Sequence, residues 1–154
     1  MSGILVGVDG SDHSYRALHW AMLEALRRQL PLTVMSVHPA SARPATEIYW
    51  PMPVHTDSDD DLEFARAEVG QLVDKAASHI GQAVPPVTVS VVRGDPAEEL
   101  LREATDADLL VVGSRGTGGF ARLLMGSVSS KVAHHAPCPV AVIRGTGVRV
   151  QFDG

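Results

Sequence analysis

The chain has a single cysteine, Cys138, in 154 residues, so no disulfide can close within it. That fits a reducing compartment. Basic residues are also scarce: 13 Lys and Arg stand against 18 Asp and Glu, a net charge of −5. A nucleic-acid surface wants a basic face, so that class of partner is not expected. The same balance leaves room for a small anion held by local dipoles. No apolar run reaches the length of a membrane span, so no membrane partner is expected. Met1 to Asp9 lack a basic leader region and read as a strand rather than a signal peptide, which predicts a cytoplasmic protein. Internal repeats and low-complexity tracts are missing. So are a Walker Gly-Lys-Ser/Thr, a nucleophile elbow and a carboxylate placed to activate water, so no catalytic residue is expected.

What remains is an ordinary globular composition, 45% hydrophobic and 20% charged, in a length that suits one domain. The expectation is a single domain over 1–154, with a core of about 3–144 and a tail at 145–154. Ile4 to Asp9 is a short apolar run ended by Asp-Gly-Ser, which reads as a buried strand. Ser11 or Asp12 caps a helix whose stripe is Ala17, Leu18, Ala21, Met22, Ala25 and Leu26. Pro31 ends it, and Leu32 to Val37 is a second strand rich in β-branched residues. A long connection with four prolines runs from His38 to about Ser58. A helix follows through Leu62, Ala65, Val69, Leu72, Val73 and Ala76, then a third strand at Val87 to Val92. Asp95-Pro96 is a cap with proline at the first helical position. A fourth strand at Leu109 to Val112, a helix at Val128 to His135 closed by Pro137, and a fifth strand at Val140 to Ile143 complete the order. Alternating strands and helices, with strands apolar on both faces, predict an α/β fold. Its parallel sheet of five strands, ordered 3-2-1-4-5, carries helices on both faces.

Two loops carry the functional signal. Val111-Val112-Gly113-Ser114-Arg115-Gly116 runs from strand four into a loop with Gly118 and Gly119. Gly126-Ser127-Val128-Ser129-Ser130 then opens a helix. Glycines admit a ligand close to the backbone, and a helix N-terminus beside hydroxyls is an anion site. In the order 3-2-1-4-5, strands one and four adjoin where the order reverses, which is where open α/β sheets bind ligands. Asp9-Gly10-Ser11 after strand one and the glycine loop after strand four therefore meet at one crevice.

These residues resemble the ATP-binding branch of the universal stress protein family. The branch has Gly, two residues, Gly, nine residues, Gly, then Ser or Thr; here these are Gly113, Gly116, Gly126 and Ser127, with Asp9 ending strand one. The resemblance runs from about Ile4 to Arg144. It implies an adenine nucleotide alpha hydrolase-like fold and a regulatory stress-response protein that works by binding. Asp9 and Val8 would lie at the adenosine end, with Val37 packed on the adenine. Gly113, Arg115 and Gly116 would border the ribose and phosphates. Gly126, Ser127, Val128 and Ser129 would hold the phosphates. ATP is the implied cofactor, with AMP and cyclic AMP as alternatives and Mg²⁺ as a companion of ATP. A homodimer through the fifth strand is implied too. Slow ATP hydrolysis, or an ATP pyrophosphatase-like enzyme, is the alternative reading; the latter needs a Ser-Gly-Gly opening where this chain has Val8-Asp9-Gly10.

Other candidates read as structural or peripheral. Asp57, Asp59, Asp60 and Asp61 suit a helix's first turn as dipole partners. His134 and His135 suit a helix's last turn, with no further metal ligands nearby in sequence. Cys138, between two prolines, is structural. His38 ends strand two near the crevice, Arg122 is a second cation that could neutralise phosphate, and Tyr49 and Trp50 stand in the long connection.

Overall fold

A computed structural model describes residues 2–39, 59–115 and 126–144. Gly116, Gly118, Gly119 and Arg122, together with Tyr49, Trp50, Asp57 and the tail beyond Arg144, lie outside the described residues. The elements are β1 (Ile4–Gly7), α1 (Asp12–Arg28), β2 (Leu32–His38), α2 (Asp59–Ile80), β3 (Val87–Arg93), α3 (Pro96–Glu103), β4 (Leu109–Gly113), α4 (Ser127–His135) and β5 (Val140–Ile143). The strands form one five-stranded sheet in the order β3-β2-β1-β4-β5, and every pairing is parallel. The expected order and the expected bounds of β5 are therefore found.

Strand alternation divides the core into two layers. Ile4, Val6, Leu32, Val34, Leu109 and Val111 face α1 and α2, where Leu18, Met22 and Val69 meet them. Leu5, Met35, Leu110 and Val112 face α3 and α4, packing with Leu100 and Val132. Successive right-handed crossovers put α1 and α2 on one face, and the reversal of direction after β3 puts α3 and α4 on the other. The reversal falls between β1 and β4, whose register is Ile4 with Leu109 through Val6 with Val111.

Local chemistry explains the helix ends. Ser11 is the cap of α1, its hydroxyl accepting the Ser14 N–H at 3.2 Å. The far end closes on Gln29 in the left-handed region (φ 57, ψ 46), and the Leu30 N–H returns to the Ala25 carbonyl. Glycine is the usual residue there, so Pro31 was the only visible stop. Asp95 caps α3 by accepting the Glu98 N–H at 3.0 Å, with Pro96 first in the helix. Glu24 is buried on α1 but paired with Arg27 and Arg28, as a buried carboxylate requires. No described helix is long and apolar enough to cross a membrane.

Candidate functional site

β1 and β4 are neighbours in the sheet, and their exits carry the candidate residues. At the first exit the Val8 N–H still donates to the Met35 carbonyl at 2.9 Å. The chain then turns away from the sheet. Gly10 has φ +87 with open space around it, a conformation that excludes most side chains. Asp9 stabilises this turn: its Oδ1 accepts the Ser11 N–H at 2.9 Å and the Ser11 hydroxyl at 2.6 Å. The Asp9 N–H donates to the Ser14 hydroxyl at 3.1 Å. Asp9 is thus exposed at the crevice and also a turn-former.

A cavity of about 400 Å³ opens beside this turn, between the ends of β1 and β2 and the side of α2. Val8, Ala65, Val69 and Leu72 give it apolar walls; Asp9, Ser36, His38, Glu68, Gln71 and Lys75 are its polar residues. Lys75 also reaches α1, its Nζ 4.9 Å from the centre of the Tyr15 ring. The Tyr15 hydroxyl lies 2.8 Å from Nδ1 of His79 and is pushed up in pKa by burial. Val37 is not among the lining residues: alternation turns its side chain to the opposite layer with Met35 and Val92. His38 does line the cavity, 3.4 Å from the Ser36 hydroxyl. The contribution of α2 was missed from sequence, because its inward stripe of Ala65, Val69 and Leu72 reads as ordinary core.

At the second exit, Gly113 brings β4 under the first turn of α1. A Cβ on Gly113 would lie 2.8 Å from both the carbonyl carbon and the oxygen of His13. Ser114 follows, 3% exposed, and ties several elements together. Its N–H donates to the Ile143 carbonyl of β5 at 2.8 Å, and its carbonyl accepts the Gly126 N–H at 2.5 Å. Its hydroxyl lies 3.4 Å from Nδ1 of His13. Arg115 is half-buried beyond it.

Gly126 is the cap of α4, and a glycine has no side chain with which to make a capping bond. The first N–H groups of a helix have no intrahelical partner. The first turn of α4, which includes Ser127, Val128 and Ser129, carries no acid; by contrast α1 has Asp12 and α3 has Glu98 and Glu99. The positive end of α4 is therefore not neutralised from within its own first turn. Ser127 is exposed, Val128 half-buried and Ser129 buried. The Ser129 hydroxyl donates to the Ser114 carbonyl at 2.9 Å, with the Gly126 carbonyl at 3.2 Å.

Neither His134 nor Cys138 lines the cavity. Nδ1 of His134 lies 2.8 Å from the Ser130 carbonyl of its own helix. Among the described residues, no group of three His, Cys, Asp or Glu side chains could hold a metal. Cys138 is half-buried, and burial pushes its thiol up in pKa against a smaller opposing backbone hydrogen bond with Leu110.

The architecture is that of a doubly wound α/β protein with a polar turn at the β1 exit, a cavity between β1, β2 and α2, and, beside the β4 exit, a helix terminus with no acid in its first turn. The chain belongs to the universal stress protein family, whose model matches residues 1–144. A universal stress protein of Mycobacterium tuberculosis is 32% identical over 145 residues, covering 94% of this chain and 48% of that protein. The chain thus spans about half the length of the curated relatives it matches. The universal stress protein UspA from Lactobacillus plantarum superposes with a TM-score of 0.68 at 31% identity, covering 93% of this chain and 97% of that one. A universal stress protein solved in complex with cAMP superposes with a TM-score of 0.61 at 28% identity, covering 93% and 95%.

Proposed function

We propose that this chain binds an adenine nucleotide, ATP in the first place, and acts as a regulatory stress-response protein by binding rather than turnover. The observation that carries the reading is the α4 terminus: a glycine cap with no capping side chain and no acid in the first turn, held beside the β4 exit. An anion there gains about 0.3–1 kcal/mol from the helix dipole, and up to ~2 when partly buried. Each hydrogen bond to a charged oxygen adds roughly 1.5–3 kcal/mol. The Ser127 and Val128 backbone N–H groups, the Ser127 hydroxyl and Arg115 serve the phosphates. The cavity beside Val8 and Asp9 takes the adenosine. Gly113 and Gly116 border the ribose and phosphates, and Val37 contributes backbone rather than side chain. Mg²⁺ accompanies the triphosphate.

The chain is proposed to work as one cytoplasmic domain that forms a homodimer through β5. That strand is an edge of the sheet and its four residues are half-buried in the single chain; an apolar edge calls for a cover. A cyclic nucleotide is the second reading, favoured by the relative solved with cAMP. It would place one phosphate, rather than three, at α4.

A thermal melt tests the proposal. ATP at about 100 times its dissociation constant stabilises the fold by roughly 2.7 kcal/mol, a rise of about 5–10 °C for a chain of this size. GTP gives a smaller rise. Equal shifts from ATP and GTP, or none from any adenine nucleotide, count against it. A larger shift from cAMP than from ATP selects the second reading.

Asp9→Ala is expected to weaken ATP binding by about 10- to 100-fold, the worth of one charged hydrogen bond. Calorimetric titration checks this. Undiminished affinity in the variant places the ligand away from the β1 exit.

A further inference from the structure

We infer that Ser129 is a positioning residue for the phosphate site and not, like Ser127 in the reading above, a ligand of it. The inference rests on the nucleotide-binding reading above. A serine hydroxyl carries one hydrogen. In Ser129 that hydrogen is shared between the Ser114 carbonyl at 2.9 Å and the Gly126 carbonyl at 3.2 Å, from a side chain that is only 2% exposed. The Ser114 carbonyl also accepts the Gly126 N–H at 2.5 Å. The two bonds clamp the first turn of α4 to the residue just past β4. Through the Ser114 N–H, that residue is in turn fixed to Ile143 of β5. Ser114 also meets α1 through His13.

The clamp determines where the free N–H groups of α4 point. A preorganised set of donors binds an anion better than one that must be ordered on binding. Ser127, two residues earlier, is exposed at the same helix start. That exposure leaves its hydroxyl accessible to a ligand. The two serines thus play different parts. Ser129 sets the geometry, and Ser127 touches the anion.

Hydrogen exchange on the ligand-free protein, paired with titrations of ATP and adenosine, tests the division. In Ser129→Ala, the Gly126 and Ser130 amides are expected to exchange about tenfold faster, the equivalent of one lost hydrogen bond. ATP affinity falls about tenfold while adenosine affinity is unchanged; a general loss of stability would lower both. In Ser127→Ala, ATP affinity falls by a similar factor and the exchange of both amides is unchanged. If Ser129→Ala lowers ATP affinity but leaves exchange as in the wild type, Ser129 is a direct ligand and the inference fails. It fails also if Ser129→Ala changes neither quantity. Should wild-type protein bind no ATP, the nucleotide reading falls, and the exchange measurement still decides whether Ser129 clamps α4.

Discussion

Gly126→Val abolishes ATP binding and leaves a protein that still melts cooperatively. Gly126 has φ −79 and ψ 174, extended backbone open to every residue. Its glycine is therefore not demanded by conformation, and a side chain there causes no backbone strain. In the proposed site, what the glycine would provide is access. It stands at the cap of α4, where a phosphate would approach the Ser127 and Val128 N–H groups. A branched side chain occupies that approach. Losing two charge-assisted hydrogen bonds, at roughly 1.5–3 kcal/mol each, lowers affinity by at least about 100-fold. Gly126 is buried, so the added side chain costs the fold about 1–3 kcal/mol by overpacking. Calorimetric titration measures the first effect and denaturant unfolding the second. Near wild-type affinity in this variant would show that the anion does not sit at α4.

Gly113→Ala is expected to act in the opposite sense, through the fold before the ligand. The added Cβ would stand 2.8 Å from the carbonyl carbon and oxygen of His13, which are backbone atoms and cannot rotate away. Either α1 shifts at its first turn or β4 does. Overpacking of this kind costs about 1–3 kcal/mol, or roughly 2–12 °C in melting temperature at this chain length. Thermal and denaturant unfolding of the ligand-free protein check it. An unchanged midpoint would mean that α1 rides over β4 with more freedom than the structure shows. The first and third glycines of the motif differ accordingly: Gly113 lets a helix approach a strand, and Gly126, in the proposed site, would let an anion approach a helix.

Much of this was legible in the sequence for identifiable reasons. Apolar runs bounded by turn residues announced all five strands. Val140 to Ile143, between Pro139 and Arg144, was read to the residue. The Asp95-Pro96 start of α3 was readable because cap and proline act locally. Other features depend on tertiary geometry. Gln29 takes the left-handed cap of α1 with no glycine to mark it. β2 runs one residue further than expected, to His38. Its alternation then brings Ser36 and His38 to the cavity and turns the Val37 side chain to the other layer. The α2 wall was invisible because helical spacing alone does not tell a residue that lines a cavity from one that packs on a strand. Likewise Ser127 and Ser129 are chemically alike in sequence; only burial and the Ser114 carbonyl separate them.

Native mass spectrometry of the purified protein, titrated with ATP, tests the central claim most directly. It reports the nucleotide held by each chain and the number of chains at once. The account predicts a saturating adduct of one ATP per chain, lost in Gly126→Val at the same concentrations. A wild-type spectrum with no adenine nucleotide adduct at any ratio, or an adduct that survives Gly126→Val unchanged, would contradict it.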